Sequence, residues 1–449
     1  MAVSAAGPAR ARPRRRTILV LLIAFAISLC AACGSSGHEQ ASKPTVVRVP
    51  GDAATITAAL GKVATNGLVL LSPGTYHESV TVTVPGVTIR GTNRNTVIID
   101  GQGTRPDGIV VTAAGVTVQN LTVKDNTFYG VLVTGEPSAA EGQGGNGYST
   151  ADPDKFPPVQ RFRVDHVTAE NNGLYGIYAF DAQHGVIEDS YASGSADSGI
   201  YVGQCRQCDI LVQRNVAERN AVGFENANAS DSVYVVANRW SRNRVGMTLL
   251  SSYQEALRPQ HHNTVAGNLI SDNTSAQSPA QASGGYGIGI GISGGQDNSI
   301  RDNRISGNPY VGVLLDNTED IPATGNQIID NALAANGVDA ADISDSQAPS
   351  SKNCINGSGH ATVRPAALAK ARCPEGSARS TGVADTQLPT LTAPPGMAFL
   401  DVPPPRAQPN LTGPLDTPGP ALPATVRAPD LTTVSAPAPD YLASSAGTG

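Results

Sequence analysis

Residues 171–180 read NNGLYGIYAF, 194–203 read GSADSGIYVG, 218–227 read ERNAVGFENA and 241–250 read SRNRVGMTLL. Each decapeptide has glycine in sixth place, at Gly176, Gly199, Gly223 and Gly246, so the pattern returns after 23, 24 and 23 residues. A short alternating apolar run follows each glycine. The same signature recurs at Gly130 (GVLVT), Gly287 (GIGIG) and Gly312 (GVLLD), across longer gaps. A second column lies earlier in each unit, at Asn120, His166, Ser190, Asn215, Asn238, Asn268, Asn303 and Asn331, and a third at Asn172, Asn220, Asn243 and Asn308. Units of about 23 residues with three short strands suit one coil of a parallel β-helix. A leucine-rich repeat would show a fixed Leu/Asn consensus, and a propeller blade would be roughly twice as long. Strand alternation turns Ile177, Ala179, Ile200, Val202, Phe224 and Met247 inward. Coils stacked at about 4.8 Å place equivalent residues in ladders, where Asn can bond from coil to coil.

Outward from this core, the composition agrees. Charged residues make up 15% of the 449, against about 25% in ordinary domains, and Gly (48) and Pro (32) are abundant. That profile excludes a helical bundle and suits many short strands joined by tight turns. Net charge is −6 with no basic patch beyond the leader, so nucleic acid is not expected as a partner. The expected fold is all-β, a right-handed parallel β-helix over 44–340 of about ten coils. Residues 53–63 (AATITAALGKV) have helical spacing and would cap the first coil. Insertions interrupt the repeat at 135–159 and 274–285. Residues 341–385 form a C-terminal cap region. Residues 386–449, with 14 of the 32 prolines, read as an extended or disordered tail.

The leader carries Arg10, Arg12, Arg14, Arg15 and Arg16 before an apolar run, Ile18–Leu29, too short for an ordinary membrane span. The sequence Leu29-Cys30-Ala31-Ala32-Cys33-Gly34 resembles a bacterial lipobox with Cys33 as the acylated residue. The other reading is a plain signal peptide cut near Ala32. The lipobox implies a signal peptide over 1–32, a polar tether over 33–43 and a lipid anchor at the extracytoplasmic face of the cell membrane. Four cysteines remain beyond it, Cys205, Cys208, Cys354 and Cys373. An even count in an exported chain favours disulfides, and local pairing is the simplest of three connectivities.

The opening segment VPGDAATITAALGKVATNGLVLLSPGTYHESVTV, followed by VTIRGTNRNTVIIDG, resembles the pectin-lyase-like right-handed β-helix proteins. The later GIYVGQ and GFENANA segments are similar to bacterial β-helix repeats associated with carbohydrate binding and sugar hydrolysis, a broad group that includes NosD-type periplasmic proteins. The resemblance covers about residues 44–340. It implies fold and leaves function open, because the superfamily contains lyases, hydrolases, epimerases, esterases and proteins without known activity.

No motif identifies a reaction. The NxD, DD and RxK set of polygalacturonases is absent, and the nearest match to an epimerase DPHE segment, Phe180-Asp181-Ala182-Gln183-His184, lacks the Pro and the Glu. The run Gly284–Gly295 reads as tight coil packing in preference to a phosphate loop. His261-His262 reads as an exposed loop in preference to a metal pair. With 3 Met and 7 His the composition speaks against copper handling, and no metal or cofactor is expected.

Stacking supplies the candidate site. Two residues past each repeat glycine an outward column holds Leu132, Tyr178, Tyr201, Glu225, Thr248 and Leu314; two further on, Phe180 and Gly203 follow. Tyr178, Phe180 and Tyr201 would bind sugar rings, helped by Gln204. Asp181 and Glu225, two coils or roughly 9–10 Å apart, would be the catalytic carboxylates, with Asp197 and His184 as helpers. The opposing expectation is that the 135–159 loops cover these rings, making them a secondary cluster under a lid. The expected role is a monomeric envelope lipoprotein that binds an extended polysaccharide, as a hydrolase, lyase or epimerase if it is an enzyme. The alternative is a non-catalytic structural or protein-binding component.

Overall fold

The computed structural model describes residues 42–136, 156–281, 284–358, 361–370, 373 and 387–445. The leader with Cys33, and residues 137–155 of the first insertion, lie outside the described residues.

Helical spacing at the start becomes one short helix, Ile56–Lys62, N-capped by the Thr55 hydroxyl, which accepts from the Ala58 amide. Its apolar face (Ile56, Ala59 and Leu60) is buried with Val47 and Val49 of the first strand. Glu78 accepts from the Ile56 and Thr57 amides at the helix N-terminus, at 2.8 and 3.0 Å. Among the described residues, no helix is long and apolar enough to cross a membrane.

Among the described residues, three 3₁₀ turns aside (Leu368–Lys370, Phe399–Asp401 and Leu431–Thr433), the other elements are strands in two continuous sheets, of 20 and 11 strands, whose ladders run parallel. The larger sheet bends round a corner, because Thr117–Lys124 pairs with Thr88–Gly91 at one end and Val97–Asp100 at the other. Each coil therefore has three sides around one apolar interior. Ile177, Ala179, Ile200, Val202, Phe224 and Met247 all lie in that interior. The smaller sheet marks eleven coils. Strands continue past residue 340 to Cys354–Asn356 and Val363–Arg364. The boundary expected at 340 is therefore too early. The glycine signature fades there, but Asn353 extends an asparagine ladder by accepting from the Asn326 amide.

The repeat glycines owe their place to close approach between coils. A Cβ on Gly176 would lie 2.6 Å from the Gly199 carbonyl oxygen, and one on Gly223 would lie 2.5 Å from that of Gly246. The asparagine columns are true ladders. Asn215, Asn238, Asn268, Asn303 and Asn331 each accept, at Oδ1, from the amide of the residue one coil earlier. Asn220, Asn243, Asn273, Asn308 and Asn336 form a second ladder on the same plan. Each net bond is worth about 1 kcal/mol. Asn120 and His166 belong elsewhere. The register pairs them with each other and His166 with Asp189, in the neighbouring left-handed corner column (φ 56°, 51° and 48°).

Both local disulfides form, Cys205–Cys208 and Cys354–Cys373. The described tail, 387–445, runs extended along the outside of the larger sheet and its corners. Arginines hold its carbonyls: Arg90 donates to Leu415 and Thr417, Arg239 to Tyr441, and Arg304 to Pro437. Arg94 is the deepest clamp, 1% exposed, donating to Thr168 Oγ1, Val167 O, Asp189 O and Pro409 O.

Candidate functional site

Five consecutive strands of the smaller sheet build the site: Tyr129–Thr134, Ile177–Phe180, Ser198–Arg206, Val222–Ser230 and Val245–Leu250. Their register stacks Leu132, Tyr178, Tyr201, Glu225 and Thr248 in one outward column, with Phe180 and Gly203 aligned beside it. The column stands as the repeat spacing implies, but its face is not open. Tyr178, Phe180 and Tyr201 are 5%, 1% and 2% exposed. They form a second apolar cluster with Tyr129 and Leu132, against which Tyr175, Leu174 and Phe128 pack. Ring centroids lie 4.8 Å apart for Tyr178–Tyr201, 5.2 Å for Tyr178–Phe180 and 4.6 Å for Tyr175–Tyr201. Aromatic pairs favour these tilted and edge-on contacts. An open groove is thus corrected to a covered cluster. Part of the cover is the segment 251–263, where the Tyr201 hydroxyl donates to Glu255.

Carboxyl groups crowd round the rings. Glu225 is 7% exposed and takes a hydrogen bond from Ser198 Oγ, which also reaches Asp197 Oδ1 at 3.2 Å. Asp197 and Glu225 are hydrogen-bonded to each other. Gln281 Nε2, from the second insertion, donates to Asp197 at 2.7 Å. Burial pushes Glu225 well above the usual carboxylate range, and the Asp197 charge adds to it. Burial also raises Asp197, and lifts Glu255 to about 8 and Asp181 to about 7, with Glu136 contributing to both of the latter. Among the described residues, no Lys or Arg forms an ion pair with Asp181, Asp197, Glu225 or Glu255. Several buried polar atoms on this face have no hydrogen-bond partner among the described residues, among them Asp181 Oδ2, Gln204 Nε2, Thr248 Oγ1 and Glu255 Oε2.

Of the expected residues, Tyr178, Phe180, Tyr201, Glu225, Asp181 and Gln204 therefore share one face, and Gln204 accepts from the Ala256 amide at 3.0 Å. Asp181 and Glu225 stand two coils apart in the register, as expected, but on a covered face and not across an open groove. The nearest carboxyl to Glu225 is that of Asp197, at the start of the preceding coil's strand. His184 sits at a corner, 2.8 Å from Asp209. Tyr175, Glu255 and Gln281 were missed. Glu255 lies in a segment without repeat character, and its one signal is the gap of 41 residues between Gly246 and Gly287. Two further groups could hold a metal ion, Asp231–His261–His262 and Asp165–His166–Asp189.

The profile of a family described as "Periplasmic copper-binding protein (NosD)" matches residues 72–281 and 255–348. No curated protein matches the sequence significantly. Among solved structures, the chain is similar to the A-module of the Azotobacter vinelandii mannuronan C-5 epimerase AlgE4 (16% identity, 65% of this chain and 85% of that one, TM-score 0.41). It is also similar to pectate lyase Pel9A (15%, 69% and 71%, TM-score 0.39) and the PL6 family alginate lyase AlyGC (13%, 68% and 52%, TM-score 0.39). These overlaps carry no argument about activity, and the fold stands on the strand pairing itself.

Proposed function

The chain belongs to the NosD family, described as periplasmic, and from this premise we propose that it is an extracytoplasmic envelope protein, anchored through acylated Cys33, whose β-helix binds an extended polysaccharide. The observation that supports this reading is the set of buried polar atoms on Asp181, Gln204, Thr248 and Glu255 that find no partner among the described residues, beside stacked aromatic rings. Buried polar atoms in native proteins almost always find partners. Sugar hydroxyls supply both donors and acceptors, and sugar ring faces pack on aromatic side chains. The lack of ion-paired cations among the described residues favours a neutral sugar chain over a polyuronate. Binding requires the 252–257 part of the 251–263 segment to lift, with the Tyr201–Glu255 hydrogen bond as its latch.

A second reading, catalysis, is favoured by the Asp197–Glu225 pair. Two carboxyls in hydrogen-bond contact share a proton, so one can give a proton while the other takes one. They stand too close to flank a scissile glycosidic bond, which needs about 5–9.5 Å between carboxyls. The pair therefore suits proton transfer rather than hydrolysis.

The test is a glycan array with the mature chain, followed by product analysis on each hit. Tyr201→Phe keeps the ring and releases the latch, so it should strengthen binding or speed its onset. Glu225→Gln should leave binding in place and abolish turnover if the pair is catalytic. Absence of any neutral-glycan hit for the parent and for Tyr201→Phe would refute the binding reading and leave a structural or partner-binding role. For the anchor, Cys33→Ser should release the protein from the membrane fraction, and unchanged fractionation and mass would exclude acylation.

A further inference from the structure

The flank of the larger sheet holds a cavity that two passes of the tail help to close. Stacking at one left-handed corner sets His166, Asp189 and Arg214 on consecutive coils. Arg94 reaches the same corner from an earlier coil, and its backbone is fixed there. Its amide donates to Asn410 Oδ1 at 2.6 Å, and its carbonyl accepts from Thr122 Oγ1 at 2.8 Å. The tail passes this corner at Gln408–Pro409 and again at Leu442–Ser445. Gln408 Nε2 joins the two passes by donating to Ser445 O at 2.9 Å. Between them lies a cavity of about 70 Å³, lined on the β-helix side by Arg94, His166, Asp189 and Arg214.

Arg94 is the unbalanced charge in this wall. Its guanidinium donates only to neutral acceptors, Thr168 Oγ1 and the carbonyls of Val167, Asp189 and Pro409, at 2.8–3.2 Å. The acids nearby are engaged by other groups. His166 Nδ1 lies 2.5 Å from Asp165, Arg163 and Arg214 hold Glu188, and Arg214 takes both oxygens of Asp189 at 2.9 and 2.6 Å. Among the described residues no carboxylate lies within ion-pair distance of Arg94, which is 1% exposed. Burial lowers its pKa to about 9, against the pull of Asp165 and Asp189. A buried cation without a counterion in contact is costly, and a bound anion removes that cost.

The open hydrogen-bonding groups are of both kinds. A guanidinium has five N–H donors, so one Arg94 Nη2 hydrogen is without an acceptor among the described residues, as is Arg214 Nη1. Gln408 Oε1 is the opposite case, a buried acceptor without a donor among them, on a residue 3% exposed. Its orientation is set, because Nε2 donates to the carbonyls of Arg406 and Ser445, where an oxygen would be repelled. A matching ligand offers negative oxygens to the arginines and one O–H to Gln408. Sulfate has no such hydrogen, and water has no charge. One water needs about 10–15 Å³, so the cavity has room for about five non-hydrogen atoms, the size of a tetrahedral oxyanion.

We propose that this cavity binds a hydrogen-phosphate group, with Arg94 and Arg214 on its oxygens and Gln408 Oε1 on its hydroxyl. Arginine suits phosphate oxygens through charge-assisted bonds. The group is either free phosphate or the end of a small phosphomonoester. The site is independent of the polysaccharide reading and shares no residue with it.

The test is calorimetric titration of the full exported chain with inorganic phosphate, with glycerol phosphate and with sulfate. Phosphate should bind once and saturably, and sulfate at least about tenfold more weakly, the equivalent of one hydrogen bond left unmade in a buried site. Binding of glycerol phosphate at similar strength would identify a monoester as the natural occupant; its exclusion would identify the free ion. Arg94→Gln should weaken phosphate binding about 10- to 100-fold, as expected for a hydrogen bond to a charged group. Arg90→Gln, which loosens the tail away from the cavity, should leave phosphate binding unchanged. Gln408→Leu, a substitution in the tail that leaves every coil intact, should bring phosphate down to the level of sulfate. Absence of saturable uptake of both phosphate and glycerol phosphate by the parent would overturn the proposal. So would equal affinity for sulfate and phosphate, or unchanged phosphate binding in both Arg94→Gln and Gln408→Leu.

Discussion

The two covered flanks of this β-helix solve burial differently. Along the larger sheet, an extended proline-rich tail lies over arginines, and most polar groups meet, Gln408 Oε1 and Asn171 Oδ1 excepted: Arg90, Arg94, Arg239 and Arg304 donate to tail carbonyls, while Asn95, Asn120 and Asp209 accept from tail amides or exchange bonds with them. On the smaller sheet, tyrosine rings and carboxyls are buried together. Among the described residues no ion-paired cation joins Asp181, Asp197, Glu225 or Glu255, and several polar atoms have no partner. The first flank is arranged as a permanent interface. The second keeps proton-rich carboxyls near neutrality, and perturbed groups of that kind collect at functional sites. Cover alone therefore does not mark a site. The degree to which the covered groups satisfy one another does.

Deleting residues 387–449 tests the first flank most severely. It strips the carbonyl acceptors from at least four arginines, and charge-assisted bonds contribute about 1.5–3 kcal/mol each before ordering entropy is charged against them. A loss of at least about 3 kcal/mol in urea unfolding is expected, with no change in far-ultraviolet strand signal. An unaltered midpoint would mean that the tail is merely laid on.

Arg94→Ala should cost about 2–3 kcal/mol by leaving the Thr168, Val167, Asp189 and Pro409 acceptors without their donor. Limited proteolysis should then cut the tail near Pro409 faster than in the parent. Equal cutting rates would place the tail's anchorage elsewhere.

The smaller sheet should respond to pH. Glu255 rises from 4.5 to about 8 and Asp181 from 3.8 to about 7 on folding. The native state therefore holds protons that the unfolded chain releases. Their contribution is complete below the unfolded values and is lost as pH rises through the folded ones. Thermal unfolding should show the parent about 1–2 kcal/mol less stable near pH 8 than near pH 5, a figure reduced for solvent screening of the part-exposed Glu255. Glu255→Gln combined with Asp181→Asn should flatten that slope; a slope of the opposite sign would dissolve the contrast between the flanks.

The smallest effect is expected at Glu225. Glu225→Gln keeps the shape and replaces a carboxyl that burial already biases toward its neutral form, so stability should stay within about 1 kcal/mol of the parent or rise slightly. A drop of several kcal/mol would identify Glu225 as a paired structural anion, like those on the tail side.

Much of this was legible before any coordinates. The glycines 23 or 24 residues apart mark places where one coil's backbone touches the next, and that steric demand repeats with the coil. The asparagine columns repeat because each amide must find the same partner in every turn. Alternation assigned the inward residues correctly and put Tyr178, Tyr201 and Glu225 in one column. Two column members, Asn120 and His166, were one place out, since a left-handed corner residue and a ladder asparagine look alike in sequence.

Periodicity could not say what covers an outward face. Glu255, Gln281 and the tail lie in segments without a repeat, and their positions depend on where those segments land on the finished helix. The same holds for Asp231 and His261, 30 residues apart in sequence yet stacked in space. Repetition encodes the coil because each turn imposes the same local constraints on the chain. The contacts that give the surface its chemistry join residues from unlike segments, and only the folded register brings them together.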